Sequence, residues 1–256
     1  MLETKGLTKC YTRLPAVDGV SFAVRPGEVT AYLGPNGSGK TTTMKMLVGL
    51  LEPTHGSILY QGREIRSDLL SFKRRLGYVP EEPYLYPHLS GWEYLLLVGR
   101  LRSIPEPLLE EKIERLLNLF SMHRHRHALS SSYSRGMRQK ILISAALLHD
   151  PEVLIFDEPL SGLDVASALV VRNLLKLLAG QGKTILYSSH VLEAVERVAT
   201  RVIILHKGRV VADDSIERLR DLTHLPTLEG IFSQLVEQHD TEAAAHQMVE
   251  AMQLTN

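Results

Sequence analysis

A glycine-rich segment constrains the fold of this chain more than any other part of its sequence. Residues 34–41 read Gly-Pro-Asn-Gly-Ser-Gly-Lys-Thr and match the pattern G-x-x-x-x-G-K-[ST]. They follow a β-type run at residues 28–33 and precede an apolar-periodic stretch at residues 42–51. This order predicts a strand, a loop whose backbone N–H groups face one anion, and a helix N-terminus that adds partial positive charge. The segment predicts a phosphate-binding site, and the alternative is a glycine turn with a chance lysine.

Two acids follow another buried run and point to the same chemistry. Asp157 and Glu158 come directly after the apolar residues 153–156, where ligands collect in open α/β sheets. Burying two carboxylates there is costly unless a cation is present. We expect Asp157 and the Thr41 hydroxyl to hold Mg²⁺, Lys40 to bridge phosphate oxygens, and Glu158 to activate a water molecule. The alternative is an Asp-Glu-Pro turn that merely ends the strand.

The order of β-type and helical patterns predicts the fold class. After residues 57–60 and 76–79, strand patterns stop, and three helical stretches follow at residues 92–102, 107–120 and 134–148. Strand patterns return at residues 153–156, 184–188 and 202–206, with helical stretches between them. Such alternation predicts an α/β protein with a mostly parallel sheet and an inserted helical subdomain.

Composition limits the classes of function. The chain has 256 residues, of which 44% are hydrophobic, so it can form one sizeable folded unit. Its 29 basic and 29 acidic residues cancel, which disfavours nucleic-acid binding. Cys10 is the single cysteine and predicts no intrachain disulfide. The longest apolar run, at residues 141–148, is well below the ~20 residues that cross a bilayer, so any membrane must be spanned by a partner.

Further segments in a fixed order identify a family resemblance. Residues 133–139 read Tyr-Ser-Arg-Gly-Met-Arg-Gln at the start of a predicted helix, residues 161–164 read Ser-Gly-Leu-Asp, and residues 188–190 read Ser-Ser-His. With the two phosphate-site segments, they make residues 1–215 resemble the ATP-binding subunits of ABC transporters. The first segment resembles the LSGGQ-type signature but departs from it at Tyr133, Arg135 and Met137.

This resemblance implies a P-loop NTPase fold with a small N-terminal antiparallel β part. It implies an ATP-binding domain at residues 1–215, a helical subdomain inserted at about residues 86–150, and a helical tail at residues 216–256. It also implies that the chain binds ATP and Mg²⁺, hydrolyses ATP, and forms a head-to-tail homodimer or heterodimer with two ATP molecules at the seam. Separate membrane-spanning permease subunits would hold it at the cytoplasmic face of the cell membrane.

The resemblance also assigns roles to individual residues. Lys40, Glu158 and His190 would be catalytic, and Thr41, Asp157 and Glu81 would bind the metal. Nucleotide would contact Tyr11, Gly34, Pro35, Asn36, Gly37, Ser38, Gly39, Lys40, Thr41, Thr42, Glu81, Ser134, Gly136, Asp157 and Asp164. Of these, Ser134 and Gly136 would reach the ATP that a second copy holds. The alternatives are sheet packing for Tyr11, helix capping for Ser134 and a structural role for His190.

Three other features carry open questions. The family has glutamine where this chain has Glu81, and an ionised acid near a triphosphate is repelled unless it coordinates Mg²⁺ or a water bound to it, or is partly protonated. Tyr84 and Tyr86 lie where the family forms a groove for the membrane subunit, although they could also pack inward. The alternating histidines and arginines of residues 123–127 favour a solvated connector over a metal site, because the arginines would repel a cation.

Two other functions compete with transport. One is a soluble ABC-type ATPase that works in DNA repair, chromosome organisation or translation. Such proteins usually carry tandem modules, long coiled coils or zinc modules, and this sequence contains none. The other is a nucleotide-binding regulator that barely hydrolyses, for which Glu81 is the only hint. The sequence leaves the cargo and the direction of transport open.

Overall fold

The computed structural model describes residues 1–236, which form two sheets and nine α-helices. The strands are β1 (Leu2–Cys10), β2 (Pro15–Val24), β3 (Val29–Leu33), β4 (His55–Tyr60), β5 (Arg63–Glu64), β6 (Leu76–Val79), β7 (Val153–Asp157), β8 (Thr184–Ser188), β9 (Arg201–His206) and β10 (Arg209–Ser215). The helices are α1 (Lys40–Leu47), α2 (Leu69–Arg74), α3 (Gly91–Leu101), α4 (Glu106–Leu119), α5 (Arg135–Leu147), α6 (Val165–Gly180), α7 (Leu192–Glu196), α8 (Ile216–Thr223) and α9 (Leu228–Val236).

The larger sheet determines where functional side chains can meet. Its strand order is β10-β9-β3-β8-β7-β6, and all neighbouring strands are parallel except β10 and β9. Every residue of β3, β7 and β8 is buried, as expected for strands covered on both faces. The predicted mostly parallel sheet is confirmed. Because parallel strands end at the same edge, the segments after β3, β6, β7 and β8 all emerge there.

The smaller sheet is antiparallel, in the order β2-β1-β4-β5, and confirms the predicted N-terminal β part. The hydropathy pattern predicted neither β1 nor the first half of β2. In β1 the pairing register shifts between Thr4 and Leu7, and the intervening Lys5 and Gly6 are both exposed. The shift breaks the alternation of buried and exposed residues that identifies a strand in sequence.

Helices α3, α4 and α5 lie between β6 and β7, inside the predicted insertion at about residues 86–150. The exact limits of that subdomain remain a prediction. Helix α3 begins with a capping box, in which Ser90 Oγ accepts from the backbone N–H of Glu93 and the Glu93 carboxylate accepts from the backbone N–H of Ser90. Leu95, Leu109 and Ile113 are fully buried in the same core as strands β3, β7 and β8.

The described part of the predicted C-terminal tail is helical but not polar throughout. Leu228 and Ile231 of α9 are fully buried in the main core. The Glu196 carboxylate of α7 accepts a hydrogen bond from the backbone N–H of Leu228 and pairs with Arg220 of α8. Helices α8 and α9 therefore pack against α7 and the main core. The rest of the predicted tail, residues 237–256, lies outside the described residues.

Candidate functional site

The glycine-rich loop joins β3 to α1, and Lys40 is the first residue of that helix. Gly39 has a φ of +104°, and a Cβ atom on it would lie 2.5 Å from the carbonyl oxygen of Ala16. Any other residue would be strained and would collide with the backbone, so glycine is required here. Thr41 and Thr42 occupy the first turn of α1 and are half-buried. The loop and the helix N-terminus thus have the arrangement that the sequence predicts for phosphate binding.

The Lys40 ammonium lies against the loop that precedes it. Its Nζ donates to the carbonyl oxygens of Gly34 and Pro35, at 2.6 and 3.1 Å. Burial lowers the pKa of Lys40, and nearby carboxylates, that of Glu158 foremost, oppose the shift. The ammonium is therefore a cation held beside the loop by two carbonyl oxygens, and phosphate oxygens can take the place of these acceptors.

Asp157 ends β7 with a buried carboxylate. Its Oδ1 accepts a hydrogen bond from Ser188 Oγ, and its Oδ2 has no hydrogen-bond partner among the described residues. Burial raises the pKa of Asp157, the Ser188 hydrogen bond opposes the shift, and the Glu81 carboxylate adds to it. A buried carboxylate oxygen without a partner is costly unless a cation binds it.

The neighbouring oxygens complete a donor set for a hard cation. Thr41 Oγ1 lies 3.4 Å from Glu81 Oε2, a weak contact between α1 and the segment after β6. Hydroxyl and carboxylate oxygens are the donors that Mg²⁺ prefers. With the unpartnered Oδ2 of Asp157, these residues fit a magnesium ion.

Glu158 follows in a backbone conformation that is uncommon for a side chain of its size. Its φ is +50°, in the left-handed region. Its backbone N–H donates to Ser188 Oγ at 3.0 Å, and its Oε2 lies 2.9 Å from His190 Nδ1. The Glu158 side chain is 10% exposed, whereas that of His190 is 71% exposed. The structure thus brings together the predicted base and the predicted histidine, and the pair faces solvent on its histidine side.

Ser134 and Gly136 lie at the start of α5. Ser134 is exposed and caps the helix, because its Oγ accepts from the backbone N–H of Met137 at 3.2 Å. The capping role is therefore present, and it leaves the hydroxyl accessible. A Cβ atom on Gly136 would collide with the carbonyl oxygen of Gly162, so this glycine is required for packing inside the chain. No hydrogen bond in the described chain joins Ser134 to the glycine-rich loop.

Asp164 is the N-cap residue of α6, and its carboxylate accepts hydrogen bonds from groups of its own chain. Oδ1 accepts from the backbone N–H of Ser167, and Oδ2 accepts from Lys140 Nζ and Ser167 Oγ, each at 2.8 Å. The Lys140 hydrogen bond is the foremost reason that the pKa of Asp164 is well below its usual range. The residue predicted to lie on a dimer seam is thus also fastened to α5.

The predicted aromatic residues are exposed. Tyr11 follows β1 directly, is 62% exposed, and has Lys9 Nζ 5.6 Å from its ring centroid. Sheet packing, the alternative for Tyr11, is therefore wrong. Tyr84 and Tyr86 are 71% and 55% exposed, which also excludes inward packing, while Leu85 between them is buried. Tyr86 contacts Tyr94 of α3, with ring centroids 6.2 Å apart.

An open groove of about 290 Å³ lies nearby, between the end of α1, strand β6 and helices α3 and α5. Its walls are mainly apolar, with Leu50, Val98 and Leu142 among them, and its charged lining residues are Lys73 and Arg102. The Arg102 guanidinium donates to the carbonyl oxygens of Lys73 and Leu76, so the groove is an open and mainly apolar surface.

The histidines and arginines of residues 123–127 form a connector, as expected. His123 lies 2.5 Å from a Glu114 carboxylate oxygen and contacts Arg126. Within residues 1–236, no group of three or more histidine, cysteine or acidic side chains is arranged for a metal ion.

Three polar residues at the site were not predicted. Ser188 links Asp157 to Glu158, and Gln139 and Lys140 link α5 to the segment after Glu158. The position of Ser188 at the end of an apolar strand, beside the predicted site, could have indicated its role. Gln139 closes the signature-like segment and Lys140 follows it, but only the packing of α5 on residues 159–164 reveals their contacts.

Comparisons with known proteins agree with this geometry. The family model described as ABC transporter matches residues 17–161. The ABC transporter ATP-binding protein NatA of Bacillus subtilis is 36% identical over 234 residues, which cover 88% of this chain and 95% of NatA. A solved structure of an ATP binding subunit of an ABC transporter has a TM-score of 0.86 and 33% identity, and the match covers 92% of this chain and 99% of that one. The dimeric ATP-binding cassette MJ0796, in a post-hydrolysis state with ADP and Pi, shares the fold with a TM-score of 0.78 and 23% identity over 84% of this chain and 99% of its own.

Proposed function

The chain belongs to the family of ABC transporter ATP-binding proteins, which are ATPases, and we propose that its hydrolysis of ATP powers substrate translocation. One observation carries the proposal. At the end of a buried strand, beside the Lys40 loop, the carboxylate of Asp157 has an unpartnered oxygen and that of Glu158 contacts an exposed histidine. These are the groups that binding and cleaving a metal-bound triphosphate requires.

The proposed nucleotide site uses the loop, the start of α1 and the aromatic residue after β1. Backbone N–H groups within residues 34–42, all of which carry one except Pro35, would surround the phosphates, and Lys40 would bridge the β- and γ-phosphate oxygens. The exposed ring of Tyr11 would stack on adenine. Thr41, Asp157 and Glu81 would hold Mg²⁺, which when bound would neutralise charge on the phosphate oxygens.

Glu158 would act as the general base. Its carboxylate would accept a proton from the water that attacks the γ-phosphorus, and His190, 2.9 Å away, would orient that water and contact the γ-phosphate. The nearby Lys40 ammonium would stabilise the negative charge that develops on the phosphate oxygens. Ser188 would keep both acids in place through its two hydrogen bonds.

We further propose a head-to-tail dimer with two ATP molecules at the seam. Ser134 has an exposed hydroxyl at a helix N-terminus, which is suited to an anion, and it makes no hydrogen bond to the loop of its own chain. A second copy would therefore supply the phosphate that Ser134 and Gly136 contact, with Asp164 on the same seam. The dimeric assembly of MJ0796, whose fold this chain shares, supports the proposal.

The proposed membrane partner is a separate permease subunit. The apolar groove with Lys73 and Arg102, together with exposed Tyr84 and Tyr86, offers a docking surface for one of its segments. Among the helices that the structure describes, none has the length and apolar character to cross a membrane. Docking on a permease would place the chain at the cytoplasmic face of the cell membrane.

The substitution Glu158→Gln tests the proposal. It removes the base but keeps the size of the side chain, so we expect at least about a hundredfold loss of ATP hydrolysis, with MgATP binding retained. We also expect an ATP-dependent dimer to accumulate. A phosphate-release assay and size-exclusion chromatography with MgATP measure both effects, and Glu110→Gln, at an exposed position on α4, is the matched control.

Two results would oppose the proposal in different ways. Unchanged hydrolysis in Glu158→Gln would remove Glu158 from its role. MgATP binding without phosphate release in the unaltered protein would favour a nucleotide-binding regulator.

A further inference from the structure

The first turns of α5 are fastened to the segment that follows Glu158. This segment comprises residues 159–164 and ends at Asp164, the N-cap residue of α6. Gly136 packs so closely on Gly162 that a side chain on Gly136 would collide with its carbonyl oxygen. The aliphatic part of Arg135 covers Gly162, because a Cβ atom there would meet Arg135 Cγ at 3.2 Å. The helix and the segment are thus in van der Waals contact along a short stretch.

Two polar contacts reinforce this packing at the ends of the segment. At its start, Gln139 Nε2 donates to the carbonyl oxygen of Pro159 at 3.1 Å, and Gln139 is 1% exposed. At its end, Lys140 Nζ lies 2.8 Å from Asp164 Oδ2. Both side chains come from the same turn of α5, so one turn of helix holds both ends of a loop that begins directly after Glu158.

We propose that Lys140 is a positioning residue, whose ion pair with Asp164 holds residues 159–164 against α5 and thereby fixes the carboxylate of Glu158. This inference rests on the proposed role of Glu158 and adds a residue that does not touch the nucleotide. The backbone at Glu158 has a left-handed φ of +50°, a conformation that persists only when the surrounding chain constrains it. The constraint comes from Ser188 on one side and from the fastened segment on the other.

The exposure of the Lys140–Asp164 ion pair distinguishes a role in positioning Glu158 from a role in stabilising the fold. The Lys140 side chain is 13% exposed, but the Asp164 side chain is 56% exposed. An ion pair with one solvated partner contributes little to the free energy of unfolding. Catalysis, by contrast, depends on the position of the base to within a fraction of an ångström. Loss of the pair should therefore affect turnover more than stability.

The test compares Lys140→Met, which keeps most of the aliphatic stem, with Lys140→Arg, which restores the charge. We expect Lys140→Met to lower kcat for ATP about tenfold, with KM for ATP and the Kd of MgATP unchanged within about twofold. Lys140→Arg should recover most of the lost kcat. Lys112→Met is the matched control, because Lys112 Nζ also fastens α5, through the carbonyl oxygen of Leu148 at 2.9 Å, but far from residues 159–164.

Hydrogen exchange gives a readout that is independent of hydrolysis. Amides of residues 159–164 should exchange faster in Lys140→Met than in the unaltered protein and in Lys112→Met. Unchanged kcat and unchanged exchange in Lys140→Met would overturn the inference, as would a kcat loss that Lys140→Arg does not recover. If the unaltered protein fails to hydrolyse ATP, the proposed function fails, whereas the exchange comparison still decides whether Lys140 holds the segment.

Discussion

At the scale of single residues, one hydroxyl connects the two acids of the site. Ser188 Oγ donates to Asp157 Oδ1 and accepts from the backbone N–H of Glu158. A serine can do both at once because its hydroxyl is a donor and an acceptor. The proposed metal-binding acid, Asp157, and the proposed base, Glu158, are thus held by the end of the adjacent strand, which also leads to His190.

We expect Ser188→Ala to lower kcat about tenfold and to destabilise the fold by about 1–3 kcal/mol, because it leaves a buried N–H and a buried carboxylate oxygen without partners. ATPase kinetics and urea unfolding measure the two effects. Ser130→Ala is the matched control, since Ser130 is equally buried and its Oγ donates to the carbonyl oxygen of Tyr86, away from the site. Equal kcat in the two variants would contradict the assignment.

Residues of the site could be predicted from the sequence where a local pattern marks them, but not where a distant contact defines their role. Lys40, Asp157 and Glu158 could be assigned to a candidate site because each lies in a local pattern that is typical of phosphate and metal binding. Ser188 could be suspected from its place at a strand end. Lys140 could not, because its partner Asp164 is chosen by the packing of a helix on a loop, which leaves no local pattern.

At the scale of elements, α5 is fixed at both ends. Its first turns hold residues 159–164, and just beyond its last turn His149 Nε2 contacts the carbonyl oxygen of Leu76 in β6 at 3.0 Å. Burial first, and then the positive charge of Arg102, lower the pKa of His149 to about 4. The hydrogen bond to Leu76 opposes this shift, but burial prevails and favours the neutral imidazole, which donates from Nε2.

This pKa predicts acid destabilisation. Below its ordinary value of 6.5, His149 takes up a proton in the unfolded chain but not in the folded one, so the free energy of unfolding falls as pH falls from 6.5 toward 4 and levels off below that. Because His149 is partly exposed, solvent weakens this effect, and we expect the free energy of unfolding to fall by about 1 kcal/mol between pH 7 and pH 5. Urea unfolding of the unaltered protein and of His149→Gln measures it, and the loss should shrink in the variant. His88→Gln, at an exposed histidine, is the control, and an equal loss in all three proteins would contradict the prediction.

The elements themselves were predictable where their periodicity is undisturbed. Strands β7 and β8 are continuous apolar runs, and both were predicted from them. Strand β1 was not predicted because of its register shift. The apolar residues of α9 recur at helical spacing in the sequence, but only the structure shows that this face packs against α7. Tertiary contacts thus supply what local patterns lack.

At the scale of the whole molecule, each copy would contribute two half-sites. The carboxyl edge of the sheet would hold one nucleotide, and the start of α5 would complete the site of a second copy. Ser134 is the residue that distinguishes this arrangement from a self-sufficient monomer, because it has an exposed hydroxyl and no hydrogen bond to its own phosphate loop.

In the Glu158→Gln background, we expect Ser134→Ala to abolish the ATP-dependent dimer while the single chain still binds MgATP. Loss of the helix cap should also destabilise the fold by about 1 kcal/mol. Ser215→Ala is the matched control, because Ser215 caps α8 with the same 3.2 Å hydrogen bond to the backbone N–H three residues on. Size-exclusion chromatography with MgATP measures the dimer. Equal dimerisation of the Ser134→Ala and Ser215→Ala variants would contradict the proposed seam.

The left-handed backbone at Glu158 has a consequence for the evolution of the chain. A glycine would adopt that φ without strain, whereas glutamate holds it at a cost of about 1–3 kcal/mol. Selection for thermostability alone would favour replacing this residue. Under the proposed role of Glu158 as the base, the glutamate there gives up part of the stability of the fold in favour of reactivity.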